Sequence, residues 1–221
     1  MEFRNHMDVQ LIDHMGDEQS IVRAARVSTL GTKAEATEAE GLVRFLVREG
    51  HLVPLESCVL TFRFEVPIFV SRQIVKHRTS SISEESGRYK ELEPVFYVPA
   101  PDRPVKQVGK TGNYEFVESD KLNDLVTKHL THNTMDSWGH YQTLLGAGVA
   151  KEVARTVLPV NTYSTMYMTM NLRNALHFAG LRSTKGTGHP QHEIAEVGDK
   201  VYGILKNLYP TVVDEWEKNM W

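Results

Sequence analysis

A run of basic, acidic and hydroxyl side chains at residues 73–89 constrains this chain more than any other feature. The run reads Gln-Ile-Val-Lys-His-Arg-Thr-Ser-Ser-Ile-Ser-Glu-Glu-Ser-Gly-Arg-Tyr. The apolar residues before it, beginning at Pro67, predict a helix that ends at Arg78, and the serine-rich segment that follows predicts a loop. Cations suit a helix C-terminus, where carbonyl groups point outward. Arginine and serine side chains beside the backbone N–H groups of a glycine can also hold an anion. Both interpretations stay open at this point.

Composition and charge exclude several classes of protein. The chain has 221 residues, of which 41% are hydrophobic and 24% charged, and its formal net charge is −3 at pH 7. This charge argues against a broad nucleic-acid-binding face, so an anion site must be local. The N-terminus lacks an apolar signal segment, and no stretch approaches the roughly 20 apolar residues of a membrane helix. Together with a single cysteine, these features predict a cytoplasmic protein without a disulfide or a membrane partner.

Irregular alternation of strand and helix patterns predicts one α/β domain of the α+β type over residues 1–221. We expect a central, mostly antiparallel sheet flanked by helices. Alternating apolar residues predict strands at 8–12, 59–66, 95–98 and 161–171. Helical spacing predicts helices at 20–26, 37–49, 120–145, 150–159, 172–181 and 191–208. No Gly-x-Gly-x-x-Gly motif follows a strand, so a Rossmann fold is not expected.

Local signals add further expectations. Ser20 is the expected N-cap of the first helix. Residues 102–117 have no apolar pattern and are expected to form an exposed loop. Cys58 lies in an apolar strand and is expected in the core, as are the methionines at 166, 168 and 170.

A second group of polar residues lies in the C-terminal half. Arg155 interrupts a helix rich in alanine and valine, Asn171 and Arg173 stand where a strand gives way to a helix, and Arg182 ends that helix. Each of them alone is typical of a surface arginine or a helix cap. Their order in the chain carries more information than any one of them.

The order of these residues resembles that of flavin-dependent thymidylate synthases. The signature of that family is Arg-His-Arg, seven residues and Ser, and this chain has Lys76-His77-Arg78, seven residues and Ser86. Lys76 keeps the positive charge of the first arginine but lacks its planar fork. The family's other segments are matched by Gly50–Glu56, Ala154–Pro159, Asn171–Arg173, Leu181–Arg182 and His189–Glu193.

Three further departures from the family pattern accompany the resemblance, which runs from about Val9 to the last predicted helix. Val53 stands where most members carry Thr or Ser, and His177 stands where an asparagine is common. The turn at 183–188 is longer than in typical members.

The resemblance implies an enzyme that methylates dUMP to dTMP. The carbon would come from 5,10-methylenetetrahydrofolate and the hydride from NADPH through FAD. It also implies a homotetramer with active sites where subunits meet. Arg182 matches the catalytic arginine credited with ionising the uracil N3. The implied dUMP contacts are Gln73, Lys76, Glu84, Glu85, Ser86, Gly87, Arg88, Arg155 and Arg182. The implied FAD contacts are Ser28, His51, Val53, Glu56, His77, Arg78, Glu84, Asn171, Arg173, His177 and His189.

Three alternatives differ from this hypothesis in testable ways. A non-enzymatic nucleotide- or nucleic-acid-binding protein using the basic loop at 76–88 would predict a wider basic face. A cysteine-dependent thymidylate synthase would need a reactive thiol, whereas Cys58 lies in an apolar strand without a Pro-Cys-Gln context. A zinc site of the His-Glu-x-x-His type would need histidines at i and i+4, whereas His189 and His192 are at i and i+3. We therefore expect no metal.

Overall fold

The computed structural model describes residues 1–31, 39–110 and 113–219, and these residues divide into two compact units. The first unit comprises Met1–His6, Pro67–Phe69 and Glu85–Ser164. The second comprises Met7–Val66, Val70–Glu84 and Thr165–Trp221. The single domain over 1–221 stays a prediction.

Strands and helices alternate irregularly along the chain, as expected. The strands are β1 (Glu2–Arg4), β2 (Asp8–Met15), β3 (Val59–Pro67), β4 (Ser81–Glu84), β5 (Val95–Tyr97), β6 (Lys106–Lys110), β7 (Asn113–Val117) and β8 (Tyr163–Asn171). The helices are α1 (Glu18–Leu30), α2 (Ala39–Arg48), α3 (Ile68–Ile74), α4 (Asp120–Gly146), α5 (Lys151–Ala154), α6 (Leu172–Arg182), α7 (His192–Leu208) and α8 (Pro210–Lys218). Short 3₁₀ helices cover Val53–Ser57 and Arg155–Val157.

The main sheet has the strand order β2-β3-β8-β4. β2 pairs antiparallel with β3, with Val9 opposite Phe64, and β4 pairs antiparallel with β8, with Ser81 opposite Thr169. Along β3 every second side chain is fully buried, from Leu60 through Val66, because one face of the strand points into the core. The expected α/β fold with a mostly antiparallel sheet is confirmed.

The core of the second unit contains the apolar residues that the sequence assigned to it. Cys58 is fully buried, and the three methionines of β8 are 0 to 3% exposed. Burial raises the pKa of the Cys58 thiol, which keeps it protonated. The sulfur is thus a small apolar core group, as predicted, and it has none of the thiolate character that a nucleophile needs.

The first unit is organised around the long helix α4. Its Tyr141 is fully buried, and the Tyr141 hydroxyl accepts a hydrogen bond from the backbone N–H of Leu92 at 3.2 Å. Trp138 lies edge-on to Phe96 of β5, with ring centroids 5.9 Å apart. β1 and β5 pair in parallel, and β6 and β7 form an antiparallel hairpin.

Within the described ranges, every helix is too short or too polar to cross a membrane.

Several local predictions were wrong. The N-cap of α1 is Asp17, whose Oδ1 accepts a hydrogen bond from the N–H of Ser20 at 2.8 Å. Ser20 is the third helical residue, and its hydroxyl oxygen accepts a hydrogen bond from the N–H of Asp17. The serine run after Arg78 contains β4 instead of a continuous loop. The segment at 102–117 contains the β6–β7 hairpin, although its residues 111 and 112 lie outside the described residues, as does the start of the helix expected at 37–49.

The helix ahead of the 73–89 run also differs from its prediction. α3 ends at Ile74, so Lys76, His77 and Arg78 follow the helix instead of forming its last turn. The helix expected at 150–159 is shorter too, because α5 passes into a 3₁₀ turn at Arg155 before Pro159.

Candidate active site

Helix α6 carries predicted site residues at both of its ends. Asn171 is the N-cap, and its Oδ1 accepts a hydrogen bond from the N–H of Asn174 at 3.0 Å. Arg173, in the first turn, forms an ion pair with Glu56 at 2.7 Å. Arg182 is the last residue of this 11-residue helix, which is about 16 Å long. The predicted cofactor contacts and the predicted catalytic arginine are therefore held by one rigid element.

Arg182 lies at the centre of a side-chain network in the second unit. Its Nε donates to Nε2 of His77 at 3.1 Å, and its Nη1 donates to Oε1 of Gln73 at 3.5 Å. Gln73 in turn donates from Nε2 to Oε1 of Gln191, which precedes α7. The network links the catalytic candidate to two residues of the 73–89 run, His77 and Gln73.

His77 is half-buried and is held neutral by its surroundings. Its ring packs against Phe178 with centroids 4.6 Å apart and stands edge-on to His177 at 6.0 Å. Burial first, then the charge of Arg182 and that of His177, lower the pKa of His77 to about 4. Near neutral pH the imidazole is therefore uncharged, and the hydrogen bond from Arg182 requires that its proton reside on Nδ1. His77 thus serves as the acceptor that orients the guanidinium.

Two cavities lie beside helix α6 and are lined by several of its residues. The larger has a volume of about 640 Å³ and is lined by residues that include Asn171, Arg173, His177 and Trp216. The smaller, of about 280 Å³, is lined by three cations, by the neutral His77 and by two methionines of β8; the cations are Lys76, Arg78 and Arg182, and the methionines are Met168 and Met170. Asn174 and His177 line both cavities, as do Thr79 and Leu181. An amphipathic pocket and a cationic one therefore share a wall.

Other predicted cofactor residues of the second unit do not line either cavity. Ser28 lies on α1, where its hydroxyl donates to the carbonyl of Ala25 at 2.9 Å. His51 lies edge-on to Phe45 at 6.0 Å, and Val53 is 71% exposed in its 3₁₀ turn. His189 is exposed ahead of α7, and Glu84 ends the exposed strand β4.

The first unit brings together the remaining predicted nucleotide contacts. After Glu85 the chain turns at Ser86, whose carbonyl accepts from the N–H groups of Tyr89 and Lys90 at 3.0 and 3.1 Å. Gly87 is buried against Arg155, and a Cβ at Gly87 would stand 3.1 Å from Cδ of that arginine.

The charged groups of this turn are already paired. The Arg88 Nε lies 2.8 Å from Oε2 of Glu152 on α5, and the Lys90 Nζ lies 3.1 Å from Oε2 of Glu85. The Ser86 hydroxyl oxygen accepts from the N–H of Arg88 at 3.2 Å, which leaves the hydroxyl hydrogen to donate elsewhere. The turn thus presents hydroxyl and guanidinium donors of the kind that bind phosphate.

Sequence reasoning missed several residues that line or support the site. Trp216 lines the larger cavity from α8, a helix that was not predicted although Pro210 is a good first helical residue. Asn174 lines both cavities, and Glu152 pairs with Arg88, but neither stands out in the sequence. Among the described residues, no group of three or more His, Cys, Asp or Glu side chains could hold a metal ion.

Comparison with known proteins identifies the family. Residues 10–211 match the family described as "Thymidylate synthase complementing protein". A flavin-dependent thymidylate synthase of Tropheryma whipplei (strain TW08/27) is 38% identical over 226 residues, which cover 98% of this chain and 94% of that protein. The enzyme of the same name from Streptomyces avermitilis is 40% identical over 229 residues, covering 98% and 93%.

The fold is shared as well. The crystal structure of a UMP/dUMP methylase, PolB from Streptomyces cacaoi, bound with 5-Br dUMP, superposes with a TM-score of 0.93 at 37% identity, over 100% of this chain and 98% of that one. Its complex with 5-Br UMP gives a TM-score of 0.91 at 36% identity, over 100% and 97%. The match in order, length and fold shows that this chain belongs to the thymidylate synthase complementing protein family.

Proposed function

We propose that this protein is a flavin-dependent thymidylate synthase that converts dUMP to dTMP by reductive methylation. The observation that carries the proposal is the network of Arg182, His77 and Gln73, which joins the family's signature run to its catalytic arginine. The relatives named flavin-dependent thymidylate synthase, similar over nearly the whole chain, support it. The fold shared with a methylase that holds 5-Br dUMP supports the choice of nucleotide.

The larger cavity fits a flavin. Its volume of about 640 Å³ lies within the range of cofactor sites, and its lining combines apolar groups, among them Trp216 and Leu176, with the donors Asn171 and Arg173. We infer that the flavin is FAD, with NADPH and 5,10-methylenetetrahydrofolate as co-substrates. When bound, FAD supplies the hydride transfer for which protein side chains have no equivalent. The chain's own residues bind and orient the reactants.

We infer that the FAD site is built from residues of both cavities and from five further positions. Glu56, Asn171, Arg173 and His177 line the larger cavity, and His77 and Arg78 line the smaller. Ser28, His51, Val53, Glu84 and His189 complete the proposed set, but they do not line either cavity of this chain. A homotetramer whose active sites combine residues of neighbouring subunits would give these exposed positions a ligand. We therefore propose such a homotetramer, and we propose a cytoplasmic location because the chain has a single cysteine.

The phosphate of dUMP is assigned to the turn at Ser86, Gly87 and Arg88 together with Arg155. A hydroxyl and two guanidinium groups match the three acceptor oxygens of a phosphate. The contact of Gly87 with Arg155 supports this grouping. On binding, phosphate would replace the carboxylate of Glu152 beside Arg88. We assign the rest of the nucleotide to Gln73, Lys76, Glu84 and Glu85.

We infer that Arg182 acts by electrostatics on the uracil ring. An arginine stays protonated in a protein, so it cannot remove the N3 proton as a base. A fixed guanidinium beside N3 and O4 instead stabilises the anionic ring, which changes the electron density at C5. The hydrogen bonds to His77 and Gln73 support this role, because a group that is oriented before the reaction needs no reorganisation during it.

UMP is a second candidate substrate. The related methylase structure was obtained with the 5-bromo derivatives of both dUMP and UMP, which differ only at the ribose 2′ position. The purified protein should therefore be offered each nucleotide separately, with FAD, NADPH and the folate present.

The visible spectrum of the purified protein gives the first test. We expect a yellow protein that releases FAD on denaturation and whose bound flavin responds to dUMP. A protein that binds dUMP but neither carries flavin nor takes it up would overturn the proposal and favour a non-enzymatic nucleotide-binding protein.

A further inference from the structure

The last turn of α6, which carries Arg182, is in backbone contact with α7. A Cβ atom on Gly198 would stand 2.2 Å from the carbonyl carbon of Arg182 and 2.4 Å from the amide nitrogen of Ser183. Protein interiors do not contain approaches this close, so a side chain at position 198 would push the two helices apart. Gly198 is also buried, so no movement into solvent can relieve the contact.

The turn at 183–188 packs against the same part of α6. A Cβ on Gly186 would stand 2.0 Å from the carbonyl oxygen of Gly180, and one on Gly188 would stand 2.5 Å from that of Leu181. The N–H of Gly188 donates to the carbonyl of Gly180 at 3.3 Å. The turn therefore provides a partner for a carbonyl that the end of a helix leaves unpaired.

Asp199, the neighbour of Gly198, ties this turn to α7. Its Oδ1 accepts hydrogen bonds from the N–H of Thr184 at 2.8 Å and from the Thr184 hydroxyl at 2.9 Å. Hydrogen bonds to a carboxylate are stronger than those between neutral groups. Two adjacent residues of α7 thus fix the backbone at Arg182 and the chain two residues beyond it.

We propose that Gly198 and Asp199 are positioning residues for Arg182, which set where its guanidinium meets His77 and Gln73. The inference rests on the proposed function, which gives Arg182 its role. Neither residue lines either of the two cavities described above, so each would act through the backbone that carries Arg182. Because orientation at a reacting centre is demanding, a displacement of about 1 Å can lower a rate by about 10²-fold.

The first test compares two glycines of the same helix. Gly198→Ala should lower kcat roughly 10- to 100-fold while leaving the KM for dUMP and the flavin content close to those of the parent. Gly203→Ala is the matched control, because a Cβ at Gly203 would meet nothing within 4 Å. A Gly198→Ala protein with the kcat of the parent would overturn the inference.

A double-mutant cycle separates positioning from a general structural defect. In an Arg182→Ala background the Gly198→Ala substitution should cost no further activity, because the group through which it acts is gone. If Gly198→Ala lowers kcat by the same factor in both backgrounds, the residue does not act through Arg182.

A third readout does not depend on turnover. In protein labelled with ¹⁵N-histidine, the Nε2 resonance of His77 reports the hydrogen bond from Arg182. Gly198→Ala should move this resonance towards its position in Arg182→Ala, and Gly203→Ala should leave it unchanged. An unmoved resonance would contradict the inference even if the parent proved inactive, whereas an inactive parent would contradict the proposed function alone.

Substitutions at Thr184 test the role of Asp199 by the same NMR readout, without the steric clash that Gly198→Ala creates on α7. Thr184→Ala removes the hydroxyl that donates a hydrogen bond to the Asp199 carboxylate, and Thr184→Ser retains that hydroxyl. We expect the alanine variant to move the His77 resonance in the same direction as Gly198→Ala, and the serine variant to match the parent. Equal spectra for both would refute the role of Asp199, and they remain measurable if Gly198→Ala fails to fold.

Discussion

Replacing Arg182 by alanine removes a guanidinium that lies 3.1 Å from His77 Nε2 and 3.5 Å from Gln73 Oε1. In the proposed reaction this group stabilises charge that develops on the uracil ring. The loss of one such preorganised donor costs about 3–4 kcal/mol, so we expect kcat to fall by about 10²–10³-fold. The proposed phosphate anchors around Ser86 stay in place, and binding that is equal in ground and transition states affects KM. The KM for dUMP should therefore change much less than kcat.

The assay is steady-state formation of dTMP over a range of dUMP concentrations. Arg182→Lys keeps the charge but loses the planar group that donates to His77 and Gln73 together, so it should fall between parent and Arg182→Ala. Arg48→Ala removes an exposed arginine paired with Glu49 and serves as the control. If Arg182→Ala turned over at the rate of the parent at saturating dUMP, the electrostatic role would be refuted.

Three further predictions address other parts of the site. The pKa of His77 is about 4 in the folded protein, against an ordinary value of 6.5. Between these pH values the unfolded state binds more protons than the folded state, so the free energy of unfolding should fall as the pH drops from 6.5 to 4. Because the ring is partly exposed we expect a loss of about 1–2 kcal/mol, which His77→Gln should abolish in urea denaturation at each pH. Ser86→Ala should weaken dUMP binding by about 1 kcal/mol, or up to about 3 if the hydroxyl serves the charged phosphate, and keep turnover at saturation; a covalent Ser86–nucleotide adduct by mass spectrometry would contradict this. At a dUMP concentration too low for Arg88→Ala to bind it, mixing Arg88→Ala with the impaired Arg182→Ala protein should restore some activity if the two residues of one site come from different subunits. No recovery after verified subunit exchange would argue for sites within one chain.

The sequence predicts the elements that bury one face, because their apolar residues recur with the period of the strand or helix. β3 alternates between buried and half-buried residues, so its period of two is visible in the chain. β4 has four exposed residues, and β6 is exposed except at Val108. Such strands have no buried face and leave no periodic signal, because they are ordered by backbone pairing to β8 and β7. The sequence therefore predicts loops where the structure has β4 and β6.

The candidate site likewise contains residues that the sequence identifies and contacts that only the structure shows. The family resemblance implies that Arg182 and residues of the 73–89 run share one dUMP site, and the structure places Arg182 against His77, 105 residues away in sequence. The partners themselves were beyond local reasoning, as the contact of Gln73 with Gln191 across 118 residues illustrates. The close packing at Gly198 was equally hidden, since an isolated glycine in a helix gives no sign of what its missing side chain makes room for.

Product analysis tests the central claim most directly. The purified protein, supplied with FAD, is incubated with dUMP, 5,10-methylenetetrahydrofolate and NADPH, and the nucleotide is identified by mass spectrometry. We predict that dTMP forms, that its formation requires both the folate and NADPH, and that Arg182→Ala forms far less of it. If dUMP remained unmethylated although the protein held flavin and bound dUMP, the proposed function would be contradicted.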